Sequence, residues 1–201
     1  MSARGIILDR DGTLIDVVRD EEAGAIVTAF HPKQVRLLGG VVEGLTALRD
    51  AGFVFAMATN QPGPAKGQYT RDAVARTNDE VVRRLAEHGI VVAHVAVCMH
   101  HPDGGEGGDP SLVGPCACRK PKPGLLLEAI SALDLDPAAT WMIGDTSSDV
   151  AAGVAAKTKT ALVFDRRRCE LCPLRDGAGS VRPLPDCEGP NLKIIAERIL
   201  A

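Results

Sequence analysis

The chain has 201 residues, of which 45% are hydrophobic and 3% aromatic, and its formal net charge is −3 at pH 7. This length and hydrophobic content predict a single domain, residues 1–201, with a substantial core, and they exclude a disordered chain. The small net charge does not favour a nucleic-acid surface, and no apolar run reaches the length of a membrane span. We therefore expect a cytoplasmic monomer without a signal peptide, which binds neither nucleic acid nor membrane.

Two carboxylates follow the first apolar run of the chain. The run at 6–8 ends at Asp9, Arg10 and Asp11, and Gly12 comes next. This pattern predicts a buried strand that presents Asp9 and Asp11 at its carboxyl end, where open α/β sheets bind ligands. A dinucleotide-binding loop would need several glycines here, so the acids indicate chemistry rather than nucleotide binding. Taken alone, the motif is equally compatible with a polar β-turn.

Strands and helices alternate along the rest of the chain. Apolar runs predict further strands at 53–58, 90–97, 140–143 and 160–164. Helical spacing predicts helices around 41–48, 74–85, 126–133 and 191–200, and an alanine-rich helix after 149. We interpret 16–30 as a loop or short flap near the carboxylates and 166–190 as irregular. The alternation predicts a doubly wound, mainly parallel sheet of the α/β class.

Polar residues follow several of the predicted strands, and the topology brings them to one edge of the sheet. Phosphoryl transfer needs a nucleophile, a hard cation, positive charge and hydrogen-bond donors, and these residues can supply them. Magnesium prefers oxygen ligands, so the carboxylates of Asp9 and Asp145 with a backbone carbonyl form a plausible Mg²⁺ site. The residues concerned are Asp9, Asp11, Thr59, Asn60, Lys120, Asp145 and Asp149.

These residues resemble, in chain order, the four motifs of the haloacid dehalogenase superfamily of phosphatases. Residues 9–13 are similar to the first motif, Thr59 and Asn60 to the second, Lys120 to the third, and 144–149 to the fourth. Each motif alone is unspecific, whereas the four in this order are highly specific. The resemblance implies an essentially capless domain with a magnesium-dependent phosphatase activity.

The resemblance also implies a role for each matching residue. Asp9 would form an aspartyl-phosphate, and Asp11 would protonate the leaving group, activate water and offer its backbone carbonyl to magnesium. Thr59 and Asn60 would bind the phosphoryl group, Lys120 would supply positive charge, and Asp149 would orient its neighbours.

The chain contains six cysteines, and four candidate zinc ligands fall in the loop 98–118. Cys98 and His100 precede a Gly/Pro-rich stretch that ends in Cys116 and Cys118. Two close pairs of this kind indicate a closed, structural Zn²⁺ site. The alternative is a set of free thiols. His101 is an alternative ligand, but the one-residue gap between Cys98 and His100 matches that between Cys116 and Cys118.

Within the superfamily, this loop resembles that of the phosphatases acting on heptose 1,7-bisphosphate and, closely related, on histidinol phosphate. The resemblance implies a small phosphorylated sugar as the partner, with the 7-phosphate of the heptose bisphosphate as the preferred target and Arg119 in contact with the substrate. Several features depart from the pattern: the length of 16–30, Pro64, the extended zinc loop, the tail, and Thr146 in place of a lysine. These departures leave histidinol phosphate or another small metabolite open as the substrate.

Two questions remain open from the sequence. Cys169, Cys172 and Cys187 lie in or near the irregular segment and either bind a second zinc with an outside ligand or are partly buried free thiols. A sugar-phosphate-binding module without catalysis is the alternative to an enzyme, although the presence of both Asp9 and Asp11 favours the enzyme.

Overall fold

A computed structural model describes residues 2–20, 24–165 and 183–201. Its main feature is a six-stranded sheet in which every pair of neighbouring strands is parallel. The strands in sheet order are β5 (Val92–Cys98), β4 (Val54–Asn60), β1 (Gly5–Leu8), β6 (Trp141–Gly144), β7 (Lys159–Val163) and β8 (Cys187–Gly189). The doubly wound, mainly parallel sheet predicted from the sequence is therefore confirmed.

Helices cover both faces of the sheet. They are α1 (Val41–Asp50), α2 (Arg71–Ala86), α3 (Gly124–Ala132), α4 (Ser147–Ala155) and α5 (Leu192–Leu200). Successive residues of a strand point to opposite faces, so Ile6 and Ile7 enter different apolar clusters. One cluster contains residues of α1, α2 and α5, and the other contains residues of α3 and α4. Burial on both faces explains why β1 is a continuous apolar run.

The described parts of the segment 16–30 contain two short strands rather than a plain loop. β2 (Val18–Asp20) and β3 (Ala25–Val27) pair antiparallel in a separate two-stranded sheet. We refer to residues 17–20 and 24–29, which contain these two strands, as the flap. The flap was anticipated, but its strands were not, because three-residue strands are too short to show an alternating pattern.

The segment 166–190, predicted to be irregular, ends in a strand. β8 pairs parallel with β7 at the edge of the sheet, and Asp186 anchors it there. The carboxylate of Asp186 accepts hydrogen bonds from the backbone N–H and the hydroxyl of Thr160 at 2.7 and 2.9 Å. β8 contains few residues that favour strands, so the sequence pattern did not predict a strand here. Residues 166–182, with Cys169 and Cys172, lie outside the described residues.

Across the ranges that the structure describes, the helices are too short or too polar to cross a lipid bilayer.

Candidate active site and zinc loop

The carboxyl ends of β1, β4 and β6 surround a cavity of about 320 Å³. β1 leads into Asp9 and Asp11, β4 ends with Thr59 and Asn60, and β6 leads into Asp145. The flap also lines this cavity, through Val17, Ile26, Val27 and Thr28. The cavity lining includes Asp9, Asp11, Thr59, Asn60, Lys120, Asp145 and Asp149. Seven residues that the sequence singled out thus lie around one cavity.

Lys120 lies at the centre of this group, and its side chain is 3% exposed. Its ammonium group donates hydrogen bonds to Asp9 Oδ1 at 2.7 Å and to the carbonyl of Ala58 at 2.8 Å, and it pairs with Asp149 at 2.6 Å. Asn60 fixes the backbone of Lys120 through two reciprocal hydrogen bonds of 3.1 Å. Burial lowers the pKa of Lys120, but the carboxylates of Asp149 and Asp9 outweigh it and hold the pKa above its usual value.

The carboxylates of Asp9, Asp145 and Asp149 form a buried acidic cluster, with one oxygen of each within 4.8 Å of the others. Burial raises the pKa of Asp9 to about 7, with Asp149 and Asp145 adding to the effect and Lys120 opposing it. The cluster contains three carboxylates, and the ammonium of Lys120 contacts two of them, Asp9 and Asp149, so negative charge is in excess. A divalent cation with oxygen ligands fits this charge and this donor set, because it would stabilise the ionised form of Asp9.

Gly12 allows Asp145 to approach the backbone of the first motif. Its φ is +79°, and a Cβ atom at this position would lie 2.2 Å from Asp145 Oδ2. An L-residue with a side chain would therefore be strained and would displace the carboxylate. Glycine here is explained by the geometry of the acidic cluster.

Asp11 has a different environment from Asp9. Its Oδ2 accepts hydrogen bonds from Gln61 Nε2 at 2.8 Å and from Arg10 Nε at 3.0 Å. Gln61 Nε2 also donates to the hydroxyl of Thr59 at 2.9 Å. One amide thus connects Asp11 to Thr59, and the carboxylate of Asp11 is oriented independently of the acidic cluster.

Asp149 links helix α4 to Lys120. Its Oδ2 accepts hydrogen bonds from the backbone N–H of Thr146 at 3.0 Å and from the Thr146 hydroxyl at 2.6 Å. These contacts fix the first turn of α4, where Thr146 is the N-cap. The other oxygen of Asp149 pairs with Lys120, so this acid holds the ammonium group in place.

The loop 98–118 brings Cys98, His100, Cys116 and Cys118 together, with their ligand atoms all within 4.8 Å of one another. Cys98 Sγ lies 3.8 Å from both Cys116 Sγ and His100 Nδ1, and Cys118 Sγ lies 3.4 Å from His100 Nδ1 and 3.0 Å from Cys98 Sγ. Zn–S bonds of about 2.3 Å imply tetrahedral edges of roughly 3.8 Å. Three of these four spacings are within 0.4 Å of that edge, so the residues fit a Zn²⁺ ion.

Both histidines of the loop have defined places. His101 is not part of the metal-ligand group; its Nδ1 accepts hydrogen bonds from the backbone N–H groups of Asp103 and Gly104 at 3.3 and 3.1 Å. Burial lowers the pKa of His101, and the nearby Lys66 and Arg119 add to this effect. His101 therefore stabilises the loop that carries the ligands.

Arg119 lies beside the main cavity rather than in its lining. Its guanidinium donates a hydrogen bond to the carbonyl of His100 at 3.3 Å, and its backbone N–H donates to Cys116 Sγ at 3.4 Å. It lines a neighbouring cavity of about 250 Å³ together with Gly114 and Lys122. Lys120 lines both cavities, so the two are adjacent.

Comparisons with known proteins agree with this architecture. A family model described as HAD-hydrolase-like matches residues 117–165. The chain is 35% identical over 161 residues to a D-glycero-beta-D-manno-heptose-1,7-bisphosphate 7-phosphatase of Pasteurella multocida, covering 80% of each chain. A protein of the same name from Haemophilus influenzae is 35% identical over 158 residues, covering 78% of each chain. The chain belongs to the haloacid dehalogenase (HAD) family of hydrolases.

A solved HAD structure extends the match to the whole fold. The D,D-heptose 1.7-bisphosphate phosphatase from B. bronchiseptica, complexed with magnesium and phosphate, has a TM-score of 0.75 and 28% identity. The alignment covers 98% of both chains. The resemblance to the HAD superfamily found in the sequence is therefore confirmed.

Two residues of this HAD site were given no function from the sequence. Arg10 and Gln61 both contact the carboxylate of Asp11. Gln61 follows Thr59 by two positions, which in an extended chain places both side chains on one face. Arg10 lies between two acids at the end of a buried strand, and an arginine in such a place is rarely buried unless it is paired. These were the available signals, but neither indicated which partner each side chain would contact.

Proposed function

We propose that the protein is a magnesium-dependent phosphatase that hydrolyses a small sugar phosphate through an aspartyl-phosphate on Asp9. The observation that carries the proposal is the buried contact between Lys120 and Asp9, at 2.7 Å, inside a cluster that also contains Asp145 and Asp149. A carboxylate that lines a cavity next to an ammonium group can approach a phosphate dianion without prohibitive repulsion.

The magnesium ion would be held by the carboxylates of Asp9 and Asp145 and the backbone carbonyl of Asp11. When bound, Mg²⁺ neutralises negative charge on the phosphoryl oxygens and favours the ionised form of Asp9. Asp149 is engaged by Lys120 and Thr146, which suits a supporting role rather than that of a primary ligand.

In the first step, a carboxylate oxygen of Asp9 attacks phosphorus, and the bond from phosphorus to the substrate oxygen breaks. The substrate oxygen takes a proton from the carboxyl group of Asp11. Asp11 is then a carboxylate, which acts as the base in the next step. Lys120, the hydroxyl of Thr59 and the amide of Asn60 bind the phosphoryl oxygens. The products of this step are the sugar with a free hydroxyl group in place of the transferred phosphate, and the acyl phosphate on Asp9.

In the second step, Asp11 accepts a proton from water while the water oxygen attacks phosphorus. The bond between phosphorus and Asp9 breaks, which regenerates the Asp9 carboxylate and releases inorganic phosphate. Asp11 ends this step protonated and ready for the next substrate. The different environments of Asp9 and Asp11 support this division of labour.

We propose zinc as a structural cofactor of the loop 98–118. Bound by Cys98, His100, Cys116 and Cys118, it would fix the position of the following residues, including Arg119. Because Arg119 lines the cavity next to Lys120, a fixed loop would present its guanidinium to the part of the substrate distant from the reacting phosphate.

The proposed substrate is D-glycero-D-manno-heptose 1,7-bisphosphate, with hydrolysis at the 7-phosphate. The support comes from relatives of that name at 35% identity, which this chain covers over about four-fifths of their length. The structural likeness to the B. bronchiseptica enzyme, with its bound magnesium and phosphate, adds to it.

A panel of phosphate esters tests this proposal. Release of inorganic phosphate would be measured with Mg²⁺ from heptose 1,7-bisphosphate, histidinol phosphate and common sugar phosphates. We expect the highest kcat/KM for the heptose bisphosphate, with loss of turnover when magnesium is omitted. Preference for histidinol phosphate would retain the chemistry and replace the substrate. Absence of turnover with every ester, together with ligand-induced stabilisation, would favour a binding module instead.

A further inference from the structure

Arg10 is completely buried, although its side chain carries a charge. Its Nε and Nη2 both contact the carboxylate of Asp11, at 3.0 Å to Oδ2 and 3.3 Å to Oδ1. Its Nη1 donates a hydrogen bond of 2.7 Å to Asn78 Oδ1 on α2. The guanidinium thus lies between the second acid of the site and a helix 68 residues further along the chain.

The same guanidinium also contacts the flap. Nη2 donates hydrogen bonds of 2.8 Å to the hydroxyl of Thr28 and 2.7 Å to the carbonyl of Ala29. Thr28 lines the cavity, and the backbone N–H of Ala29 lies 3.3 Å from Asp11 Oδ1. Asp11, the flap and α2 therefore share one buried cation.

Stability alone gives a weak reason for an arginine at this place. A buried ion pair costs so much desolvation that apolar residues of similar volume are often as stabilising or more so. What a guanidinium adds is geometry, because its planar donors fix the plane of a carboxylate that they contact through two nitrogens. Nη1 and Nη2 also donate hydrogen bonds to Asn78, Thr28 and Ala29, and these contacts hold the plane of the guanidinium itself.

We propose that Arg10 is a positioning residue, which orients the Asp11 carboxyl group for proton transfer and couples this orientation to the flap. The inference rests on the proposed function, in which Asp11 protonates the leaving group. Arg10 touches neither substrate nor the acidic cluster in this account. It acts through Asp11, so its loss should impair proton transfer more than it impairs attack by Asp9.

The leaving group separates these two effects. p-Nitrophenol is a weakly basic leaving group that departs without protonation, whereas the alcohol of a sugar phosphate needs a proton. General acid catalysis contributes about 10²–10⁴-fold. The rates compared are kcat/KM values, which report the steps up to release of the leaving group and exclude hydrolysis of the Asp9 phosphate, where Asp11 acts on both substrates alike. For Arg10→Lys we expect kcat/KM on heptose 1,7-bisphosphate to fall by about 10²-fold or more, and kcat/KM on p-nitrophenyl phosphate to fall by less than about tenfold. A purely structural defect would lower both rates by the same factor.

A second variant guards against misfolding of Arg10→Lys. Asn78→Ala removes one support of the guanidinium and leaves Arg10 in place, so we expect a smaller change in the same ratio of rates. Thr77→Ala is the matched control, because Thr77 is its buried neighbour on α2 and, among the residues that the structure describes, its hydroxyl donates only to the carbonyl of Ala73 in the same helix. It should leave the ratio unchanged.

Asp11→Asn separates failure of this inference from failure of the proposed function. If Asp11→Asn shows the leaving-group dependence and both Arg10→Lys and Asn78→Ala do not, the role of Arg10 is wrong and that of Asp11 stands. If Asp11→Asn itself lowers both rates equally, the proton-transfer role of Asp11 is wrong, and the inference about Arg10 falls with it.

Discussion

The ammonium group of Lys120 lies 2.7 Å from the carboxylate of Asp9, although 111 residues separate them in the chain. Both side chains are almost completely removed from solvent. The contact joins the end of β1 to the loop that follows Cys118, and Asp149 on α4 pairs with the same ammonium group. Three distant segments therefore depend on one cation.

We expect Lys120→Met to lower the free energy of unfolding by about 3–5 kcal/mol in the absence of magnesium, because Asp9 and Asp149 would be left buried without their cation. Chemical denaturation measures this change. Lys193→Met, on the exposed face of α5, is the control and should change stability by less than about 0.5 kcal/mol. Equal stability of the two variants would contradict the importance of the pair.

The stability of the magnesium-free protein should decrease between about pH 4 and pH 7. The pKa of Asp9 is about 7 in the folded protein, against 3.8 as its ordinary value. Between these values the folded state binds a proton that the unfolded state has released, so a rise in pH favours unfolding. Above pH 7 this contribution becomes constant.

Urea unfolding across this pH range, without added magnesium, measures the effect. Asp9→Asn should remove the contribution, and its stability should exceed that of the wild type most at pH 7 and above. Asp50→Asn, at an exposed acid of α1, should keep the wild-type slope. Parallel curves for the wild type and Asp9→Asn would show that burial does not raise the pKa of Asp9.

Gly12→Ala should weaken magnesium binding because its methyl group would displace the carboxylate of Asp145. Gly52→Ala is a matched control, because its φ is +85°, close to the +79° of Gly12. Within the described parts of the chain, its Cβ would contact only Arg4 Nη2, at 3.7 Å. Both variants carry a backbone cost of about 1–2 kcal/mol. Calorimetric titration with Mg²⁺ should show reduced affinity for Gly12→Ala alone; equal affinities would place the metal away from Asp145.

Metal analysis should find about one zinc per chain if the group at 98–118 binds it with four protein ligands. Cys118→Ser should lose this zinc and be less stable by several kcal/mol, because metal binding contributes directly to folding.

Cys187→Ser tests whether a second zinc site exists. Cys187 lies in β8 and packs against the core, which favours a free thiol. We expect it to retain the zinc, whereas a fall from two ions to one would establish the second site.

The parallel sheet, and the position of the acids of the site at one edge of it, could be predicted because both depend on local sequence patterns. The apolar run before Asp9 and the polar residues after β4 and β6 specify strand ends, and parallel topology brings such ends together. β8 could not be predicted, because the contact that holds it joins Asp186 to Thr160, which lies 26 residues earlier in the chain. The same holds for Arg10: its contact with Asn78 spans 68 residues, and sequence periodicity carries no information about it.

Rates of phosphate release by the wild type and Asp9→Asn, with Mg²⁺ and heptose 1,7-bisphosphate, test the central claim most directly. Asp50→Asn serves as the control for loss of a carboxylate elsewhere. If Asp9 is the nucleophile, kcat of Asp9→Asn should fall by at least about 10³-fold, while that of Asp50→Asn stays at the wild-type value. Retention of activity within about tenfold by Asp9→Asn would contradict a phosphoryl transfer through Asp9.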